Sequence, residues 1–345
     1  MPATRSVVDK ILDRGFTHLK SMVMCFEDAI REEELESAEK NALEHLRRIG
    51  EAVEQGTLKI EEVPLIFMRV RNIDQFHAFS KRLNCIEASA LTGFVFPKFY
   101  SNNAHLYLRR LREVNERLAV KLYAMPILEG KTVAYPESRI GELLQLKNIL
   151  DSHKDIVLNV RIGGTDFSSF FGVRRGIHSS IYDILPVRAC ISDILSFFNR
   201  AEDGYTVSAP VWEYFLAHKK DDIHAYLNDN IHRSLLTKER ILNEAIDGLL
   251  REVILDKANG MVGKTVIHPS HLKYVNAMQA VTLEEYQDAM QILGSAGGVV
   301  KSEMANKMNE VGPHTSWASR LVCRAQAYGV LNTERDYMQL FLGEY

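Results

Sequence analysis

The sequence predicts an α/β fold, a (β/α)₈ TIM barrel with a C-terminal helical appendage. Short apolar runs alternate along the chain with amphipathic helical patterns, which is typical of parallel βα units. Five of the runs stop at a charged residue, and the stops lie 29 to 42 residues apart: Glu27, Arg69, Lys98, Glu129 and Asp166. A barrel of eight units uses roughly 31 residues per unit and carries its catalytic groups at the C-terminal ends of its strands. The same pattern therefore predicts both the fold and the place of the functional site.

The elements of the barrel follow from these runs. Strands are predicted over residues 23–26, 66–68, 94–97, 124–128 and 157–164, with less distinct candidates at 205–211 and 261–267. Helices are predicted between them, over residues 31–55, 103–120, 137–152, 183–199 and 221–255. In the first helix, apolar residues recur every three or four positions and form the stripe of an amphipathic helix.

The domain organisation is predicted from a change of character near Ala280. Residues 1–280 are expected to form the barrel, and residues 281–345 a helical extension. Thr282 starts a helix with two acids in its first turn, the glycine-rich stretch 294–298 breaks the chain, and a last helix is predicted over 315–328. We expect the extension to reach a neighbouring subunit.

Composition excludes several classes of protein. Apolar residues make up 46% and charged residues 25% of the 345 residues, with a net charge of −3, so the basic footprint of a nucleic-acid-binding protein is absent. The four cysteines form no Cys-x-x-Cys pair, which favours free thiols in a reducing cytoplasm over a disulfide framework. No stretch resembles a secretory signal or a membrane span. We expect a cytoplasmic protein.

Glu129 and Asp166 are the best metal candidates. They end consecutive predicted strands, so their carboxylates can converge on one cation. Two carboxylates plus waters and substrate oxygens suit Mg²⁺, with Mn²⁺ as an alternative. The competing interpretation is that each acid caps a helix or pairs with a basic side chain. Adjacent glycines give a substrate access to the backbone; they are Gly130, Gly163 and Gly164.

Four further strand-end residues are catalytic candidates. Arg69 carries a planar fork suited to a carboxylate or an enolate oxygen, or else forms ion pairs to a helix. Glu27 and Asp28 either act as base and orient a metal-bound water, or simply start an acidic helix. Lys98 is a candidate Schiff-base lysine, although a charge partner inside the barrel mouth is the favoured interpretation.

His268 is a candidate for the edge of the pocket. It lies in an Ile-His-Pro segment with His271 three residues on. A zinc pair is disfavoured because no His-Glu-x-x-His motif is present. The chain also lacks a Gly-x-Ser-x-Gly elbow, a Walker loop and a Gly-x-Gly-x-x-Gly motif.

Six short segments in order give a resemblance to a known family, the citrate lyase beta-subunit-like proteins of the aldolase and citrate lyase superfamily. Residues 25–30 resemble its Asp-Leu-Glu-Asp-Ala-Val segment, residues 68–71 its Val-Arg-Val-Asn strand and residues 96–98 its Leu-Pro-Lys strand end. Residues 128–130 resemble its Ile-Glu-Thr, residues 163–167 its Gly-x-x-Asp-Leu element and residues 263–269 its Gly-Lys-x-x-Ile-His-Pro segment.

This resemblance implies a TIM barrel, a Mg²⁺ ion and reversible carbon–carbon cleavage of a small anionic oxo- or hydroxy-acid, with or without a coenzyme A thioester. It also implies that Glu129 and Asp166 hold the metal and that Arg69 stabilises the enolate. Residues expected to bind substrate are Gly130, Gly163, Gly164, Thr165 and His268. Members of the family are commonly homotrimers or hexamers.

The sequence departs from the family pattern at three points. Cys25 replaces an acid, Arg71 replaces an asparagine, and residues 207–211 lack an aspartate that is common there. Residues 1–4 resemble the end of the family's first strand, so a shortened first strand is expected. Two other functions therefore stay open: an acyl-CoA thioesterase or malate-synthase-like condensing enzyme, and a catalytically silent barrel that acts as a scaffold.

Overall fold

The computed structural model describes residues 1–16, 19–28, 30–215, 242–303 and 306–342. The chain divides into two compact units. Unit 1 comprises Met1–Arg174, Ile184–Asn199 and Tyr205–Pro210, and unit 2 comprises Arg175–Asp183, Arg200–Gly204 and Val211–Tyr345. Every predicted site residue except His268 belongs to unit 1. The predicted domain boundary near residue 280 stays a prediction.

Unit 1 contains a curled sheet of six parallel strands, each beside the next in chain order. The strands are β1 Ser21–Cys25, β2 Leu65–Arg69, β3 Gly93–Phe96, β4 Tyr123–Leu128, β5 Val160–Ile162 and β6 Val207–Ser208. Parallel strands are buried on both faces and therefore consist of continuous apolar runs, which explains why the sequence located them. Sequential parallel neighbours are how a (β/α)₈ barrel is built, and a half-barrel is present.

In unit 1, helix α1 Val8–Leu12 precedes β1, and the other helices follow strands. They are α2 Leu35–Glu54, α3 Ile73–Arg82, α4 Cys85–Ser89, α5 Ser101–Leu118, α6 Lys131–Ala134, α7 Pro136–Asp151, α8 Gly164–Phe170 and α9 Leu185–Phe198. The long helix α2 shows why they form. Its predicted stripe is fully buried at Ala38, Ala42, Leu46 and Ile49. Glu36, Lys40 and Glu44 are exposed, as expected of an amphipathic helix.

The two faces of the sheet carry different side chains because alternate residues point to opposite sides. On one face, Phe67, Val95, Met125 and Ile127 form an apolar cluster. On the other, Phe96 packs on Tyr107 of α5 with ring centroids 4.6 Å apart. Each such buried aromatic side chain contributes about 1.5–3 kcal/mol.

Because successive side chains of a strand point to opposite faces of the sheet, the face of each strand-end residue follows from its position in the chain. Arg69 lies two residues after Phe67, and Glu129 lies two residues after Ile127, so both belong to the face that carries the apolar cluster. The carboxyl ends of neighbouring parallel strands meet at one edge. The sheet therefore brings these two charged residues to the same end of the barrel.

The first residues of the chain run alongside β1. Pro2 forms a parallel bridge to Cys25. The carbonyl of Met1 accepts a hydrogen bond from the Cys25 N–H at 2.9 Å, and the Ala3 N–H donates to the Cys25 carbonyl at 3.1 Å. Residues 1–3 thus occupy the position where the sequence resemblance places the end of a first strand.

Unit 2 is mainly helical. Its helices are α10 Glu244–Ala258, α11 Leu272–Gln279, α12 Leu283–Leu293, α13 Val311–Tyr328 and α14 Glu334–Leu342, and its short strands are β7 Val281–Thr282, β8 Val299–Lys301, β9 Met308–Glu310 and β10 Val330–Leu331. One apolar cluster includes Trp212, Tyr274 and Phe341, and a second includes Val281, Ile292 and Leu321. None of the helices within the described ranges is long and apolar enough to cross a membrane.

Several expectations about unit 2 can be compared with the structure. Thr282 caps α12, because its hydroxyl accepts the Glu285 N–H at 3.2 Å, as the sequence predicts. The candidate strand 261–267 is not among the strands, because Gly263 adopts a φ of 72° and the Lys264 ammonium is buried against α10. Of the helix predicted over 221–255, residues 221–241 lie outside the described residues.

Candidate active site

Glu27 lies between two cations just beyond the end of β1. Its Oε1 accepts a hydrogen bond from the Lys98 ammonium at 2.7 Å, and its Oε2 forms an ion pair with the Arg69 guanidinium. The residue is buried. Burial raises the pKa of Glu27, while the positive charges of Arg69 and Lys98 act in the opposite direction. Glu27 thus joins the ends of three consecutive strands.

Arg69, the last residue of β2, faces three carboxylates. Besides its ion pair with Glu27, its Nη2 lies 3.3 Å from Asp28 Oδ2 and 3.7 Å from Glu129 Oε1. Burial lowers the pKa of Arg69, but the carboxylates around it, led by Glu27, outweigh burial and the pKa is raised. Arg69 is therefore a fixed positive charge at the centre of the strand ends.

Glu129 follows β4 and is buried, with 3% of its surface exposed. Its Oε1 accepts the backbone N–H of Lys98 at 2.8 Å, and no other donor within the described chain bonds to it. Burial raises the pKa of Glu129 to about 7; the negative charge of Asp166 adds to the rise, and Arg69 opposes it. Burial disfavours the charged form of a carboxylate, and a nearby cation stabilises that form.

Asp166 lies in the first turn of α8, close enough for its charge to act on Glu129. It is half-buried. Throughout the described residues, its carboxylate takes part in no hydrogen bond and no ion pair. The two acids that the sequence predicts as a pair are therefore brought close together, and neither has a full set of protein partners.

Gly163, which follows β5, allows the end of that strand to lie directly against Glu129 at the end of β4. A Cβ at position 163 would lie 2.3 Å from Glu129 Cβ and 2.6 Å from Glu129 Oε2. Gly130 plays a similar part beside Tyr100, because a Cβ there would lie 2.0 Å from the ring carbon Cε1. Two of the three predicted glycines thus give space to functional side chains. Gly164 and Thr165 begin α8 beside them.

Lys98 holds its place with a left-handed backbone, at a φ of 47°. Such a conformation costs a non-glycine residue about 1–3 kcal/mol. It directs the Lys98 N–H to Glu129 and leaves the carbonyl to accept a hydrogen bond from Asn103 at 3.1 Å. The hydrogen bond to Glu27 raises the pKa of the Lys98 ammonium. A protonated lysine serves as a charge partner, whereas Schiff-base formation needs the neutral amine.

Two residues of the site were missed by the sequence analysis. Tyr100 lies near Glu129, whose charge adds to burial in raising the Tyr100 pKa. Arg161 lies within β5, where burial and the charge of Arg69 lower its pKa to about 10. A lone arginine inside an apolar run was the signal for Arg161. Tyr100 gave no signal beyond its place shortly after a strand.

His268 belongs to unit 2, where it begins a short 3₁₀ turn. Its Nδ1 accepts the Ser270 N–H at 3.3 Å, and its ring stacks on Phe215 with centroids 4.4 Å apart. These contacts give His268 a capping role, and a contact with substrate stays a prediction. Nowhere in the described parts of the chain do three or more acidic, histidine or cysteine side chains form a metal-binding group. The metal candidate is the pair of Glu129 and Asp166.

Comparisons with solved structures support the fold. The chain is similar to the CitE protein of Mycobacterium tuberculosis in complex with magnesium, acetoacetate and coenzyme A, with 17% identity, a TM-score of 0.55, and coverage of 94% of this chain and 96% of that chain. The citrate lyase beta subunit of M. tuberculosis with oxaloacetate and magnesium gives 15% identity and a TM-score of 0.47 over 80% of this chain and 92% of that chain. A malate synthase of Haloferax volcanii in a magnesium and glyoxylate complex gives 11% identity and a TM-score of 0.48 over 92% and 87%.

Identities this low establish similarity of fold only, and the two scores below 0.5 are too low to compare details. No curated protein matches the chain in sequence. A family model described as a C–C bond lyase of the TIM-barrel fold matches residues 1–330. This match confirms the predicted TIM-barrel class and the predicted kinship with citrate lyase-like proteins. The chain belongs to the C–C bond lyase family of the TIM-barrel fold.

Proposed function

We propose that the protein is a Mg²⁺-dependent carbon–carbon lyase that cleaves a small anionic hydroxy-acid, or its coenzyme A thioester, to a carbonyl product and an enolate. The observation that carries the proposal is the pair of Glu129 and Asp166, buried or half-buried at neighbouring strand ends, beside the fixed charge of Arg69. The family supplies the reaction class.

The residues present fit a magnesium ion. Glu129 and Asp166 would hold it, because Mg²⁺ typically takes one or two carboxylates and keeps several waters. Among the described residues around this site, four carboxylates face three cations: Glu27, Asp28, Glu129 and Asp166 against Arg69, Lys98 and Arg161. A divalent cation reverses this balance and makes the site attractive to an anionic substrate. When bound, Mg²⁺ supplies a Lewis acid that polarises a carbonyl oxygen.

The chain's own side chains perform the remaining work. Asp28 is exposed at the rim, within 3.3 Å of Arg69, and takes the proton from the substrate hydroxyl. As that hydroxyl becomes a carbonyl, the carbon–carbon bond breaks and its electron pair passes to the second fragment as an enolate. Arg69 stabilises the negative charge on that fragment. Glu27 keeps Arg69 and Lys98 in position. The enolate carbon finally takes up the proton that Asp28 removed, which returns Asp28 to its carboxylate form.

The substrate class is open to a direct assay. The ligands of the M. tuberculosis CitE structure, acetoacetate and coenzyme A, suggest a panel of 3-hydroxy acids and 3-hydroxyacyl-CoA thioesters. Release of pyruvate or oxaloacetate, followed through NADH-dependent dehydrogenases, identifies a lyase. If an acyl-CoA thioester releases free coenzyme A without any second substrate, the protein is a hydrolase. If it releases free coenzyme A only when an aldehyde acid is added, the protein is a condensing enzyme.

Arg69 provides the variant that tests the mechanism. Loss of one charge-stabilising donor typically lowers kcat by about 100- to 1,000-fold, so Arg69→Met should do the same. Arg110→Met is a matched control, because Arg110 forms an ion pair with Glu113 on α5. Full activity in Arg69→Met would refute the assigned role. Absence of turnover for every substrate in the wild-type protein would favour the scaffold instead.

A further inference from the structure

Arg71 lies two residues beyond the end of β2 and contacts the segment that carries Glu27 and Asp28. Its Nε donates a hydrogen bond to the Phe26 carbonyl at 3.1 Å, and its Nη2 donates to the Ile30 carbonyl. Its Nη1 forms an ion pair with Glu32. These three contacts lie at the two ends of one segment, described at residues 26–28 and 30–32, which we call the acidic loop.

Among the described residues, no other side chain donates to the backbone carbonyls of residues 26–28 or 30. Within this described part of the acidic loop, the turn hydrogen bond runs from the Ile30 N–H to the Glu27 carbonyl at 3.0 Å. Side-chain bonds to loop carbonyls replace the missing secondary structure. Arg71 thus holds the backbone on both sides of Glu27 and Asp28, while the Phe26 N–H donates to the Arg69 carbonyl at 2.9 Å.

Arg71 is itself held firmly. Its side chain is 21% exposed, and its backbone N–H donates to Gln75 Oε1 at 3.1 Å. Gln75 in turn donates to Glu39 of α2 at 2.8 Å. A guanidinium with five donors in a fixed plane can serve several acceptors at once, which the asparagine expected at this position from the family resemblance is too short to do.

We propose that Arg71 is a positioning residue, which fixes the acidic loop so that the carboxylates of Glu27 and Asp28 meet Arg69 in the productive arrangement. The inference rests on the proposed lyase function for its kinetic consequence. Its structural consequence, the ordering of residues 26–32, does not depend on that function. Loss of Arg71 leaves Glu129 and Asp166 in place, since Glu129 directly follows β4 and Asp166 lies on α8.

The test uses the full-length protein with Arg71→Met and Arg71→Lys, and two controls. Glu32→Gln removes only the solvent-exposed contact, since the Glu32 side chain is 80% exposed, and Arg110→Met repeats the substitution at a distant ion pair. A misplacement of about 1 Å can cost 100-fold in rate, so Arg71→Met should lower kcat by about 10- to 100-fold with little change in KM. Arg71→Lys should recover part of the loss, and both controls should stay within about twofold of wild type.

Two further readouts separate positioning from general damage. The Mg²⁺ affinity of Arg71→Met, measured by calorimetry, should equal that of wild type within about twofold. Hydrogen exchange in residues 26–32 should be about tenfold faster in Arg71→Met, with no change in β4, because a local hydrogen-bonded segment has been opened. Unchanged kcat, or a loss of Mg²⁺ affinity equal to the loss of rate, would overturn the proposal.

If no substrate is turned over, the proposed function fails while the positioning role is still tested by exchange. Unchanged exchange of the acidic loop in both Arg71→Met and Arg71→Lys would then overturn it, and faster exchange confined to that loop would support it. If Arg71→Met does not fold, the comparison of Arg71→Lys with Glu32→Gln decides in the same way.

Discussion

Gly163 lies directly against Glu129, with no room for even one additional carbon atom between the ends of β5 and β4. A Cβ at position 163 would approach Glu129 Oε2 to 2.6 Å. Gly163→Ala should therefore displace the Glu129 carboxylate, weaken Mg²⁺ binding by about tenfold or more, and cost about 1–3 kcal/mol of stability through overpacking. Calorimetric titration and urea unfolding measure the two effects.

The matched control is Gly141→Ala on α7. A Cβ at position 141 meets nothing within 4 Å, and alanine is favoured over glycine inside a helix by about 0.5–1 kcal/mol. This variant should be as stable as wild type or more stable, and should bind Mg²⁺ normally. Equal effects of the two substitutions would mean that Gly163 is not a contact point.

The proximity of these residues follows from local signals in the sequence. An apolar run that ends in a charge marks the end of a buried parallel strand, and neighbouring strand ends must meet. Glu27, Arg69, Lys98, Glu129 and Asp166 were all identified in this way. The structure brings the first four into direct contact and places Asp166 within electrostatic reach of Glu129.

Other parts of the site depend on contacts that no local pattern contains. The clamp from Arg71 to the Phe26 carbonyl joins residues 45 positions apart, and a hydrogen bond to a carbonyl leaves no trace in the residue types. The predicted strand 261–267 was wrong for a related reason. Its apolar character is real, but Lys264 is drawn into a buried ion network that only the fold creates.

Neutralising Glu27 should destabilise the protein, because Lys98 loses its ion-pair partner and Arg69 loses the nearest of its three carboxylates. Glu27 and Arg69 are largely buried, while Lys98 is half-exposed, so the cost should be about 2–3 kcal/mol, below that of a fully buried pair. Urea unfolding of Glu27→Gln measures it. The exposed pair of Arg14 and Glu62 supplies the comparison, since Glu62→Gln should cost no more than about 1 kcal/mol. Similar losses in both variants would argue against a special role for Glu27.

His45 should make the stability of the protein fall in mild acid. It is 1% exposed on α2, and neither ring nitrogen has a hydrogen-bond partner among the described residues. Burial, with the charge of Arg48, lowers its pKa to about 4. An unfolded histidine titrates near 6.5, so the unfolded state binds more protons between these values, and stability is lost as the pH falls through that window.

Substitution isolates this contribution. From pH 7.5 to 4.5, His45→Leu should lose about 2–3 kcal/mol less free energy of unfolding than wild type does. Urea unfolding at the two pH values gives the comparison. If the pH dependence of stability is unchanged in His45→Leu, the His45 ring takes up its proton in the folded protein as readily as in the unfolded protein.

The buried ion network of unit 2 should be essential for stability. The Lys264 ammonium lies 3.0 Å from Glu252 and 2.9 Å from Asp256, and all three side chains are at most 1% exposed. Lys264→Met leaves two carboxylates with too little positive charge, which costs about 3–5 kcal/mol. Lys40→Met, which removes an exposed pair with Glu36, should cost less than about 1 kcal/mol. Thermal and urea unfolding measure both, and a small loss in Lys264→Met would mean that the carboxylates are neutral.

In the proposed function, Glu129 and Asp166 together hold one magnesium ion. Calorimetric titration of the metal-free, full-length protein with Mg²⁺ tests it most directly, beside Glu129→Gln, Asp166→Asn and the exposed control Glu116→Gln. We predict one site per chain in wild type and in the control, and affinity lower by about 100-fold or more in each of the other two variants. Wild-type affinity in either Glu129→Gln or Asp166→Asn, or no binding by wild type, would contradict the claim.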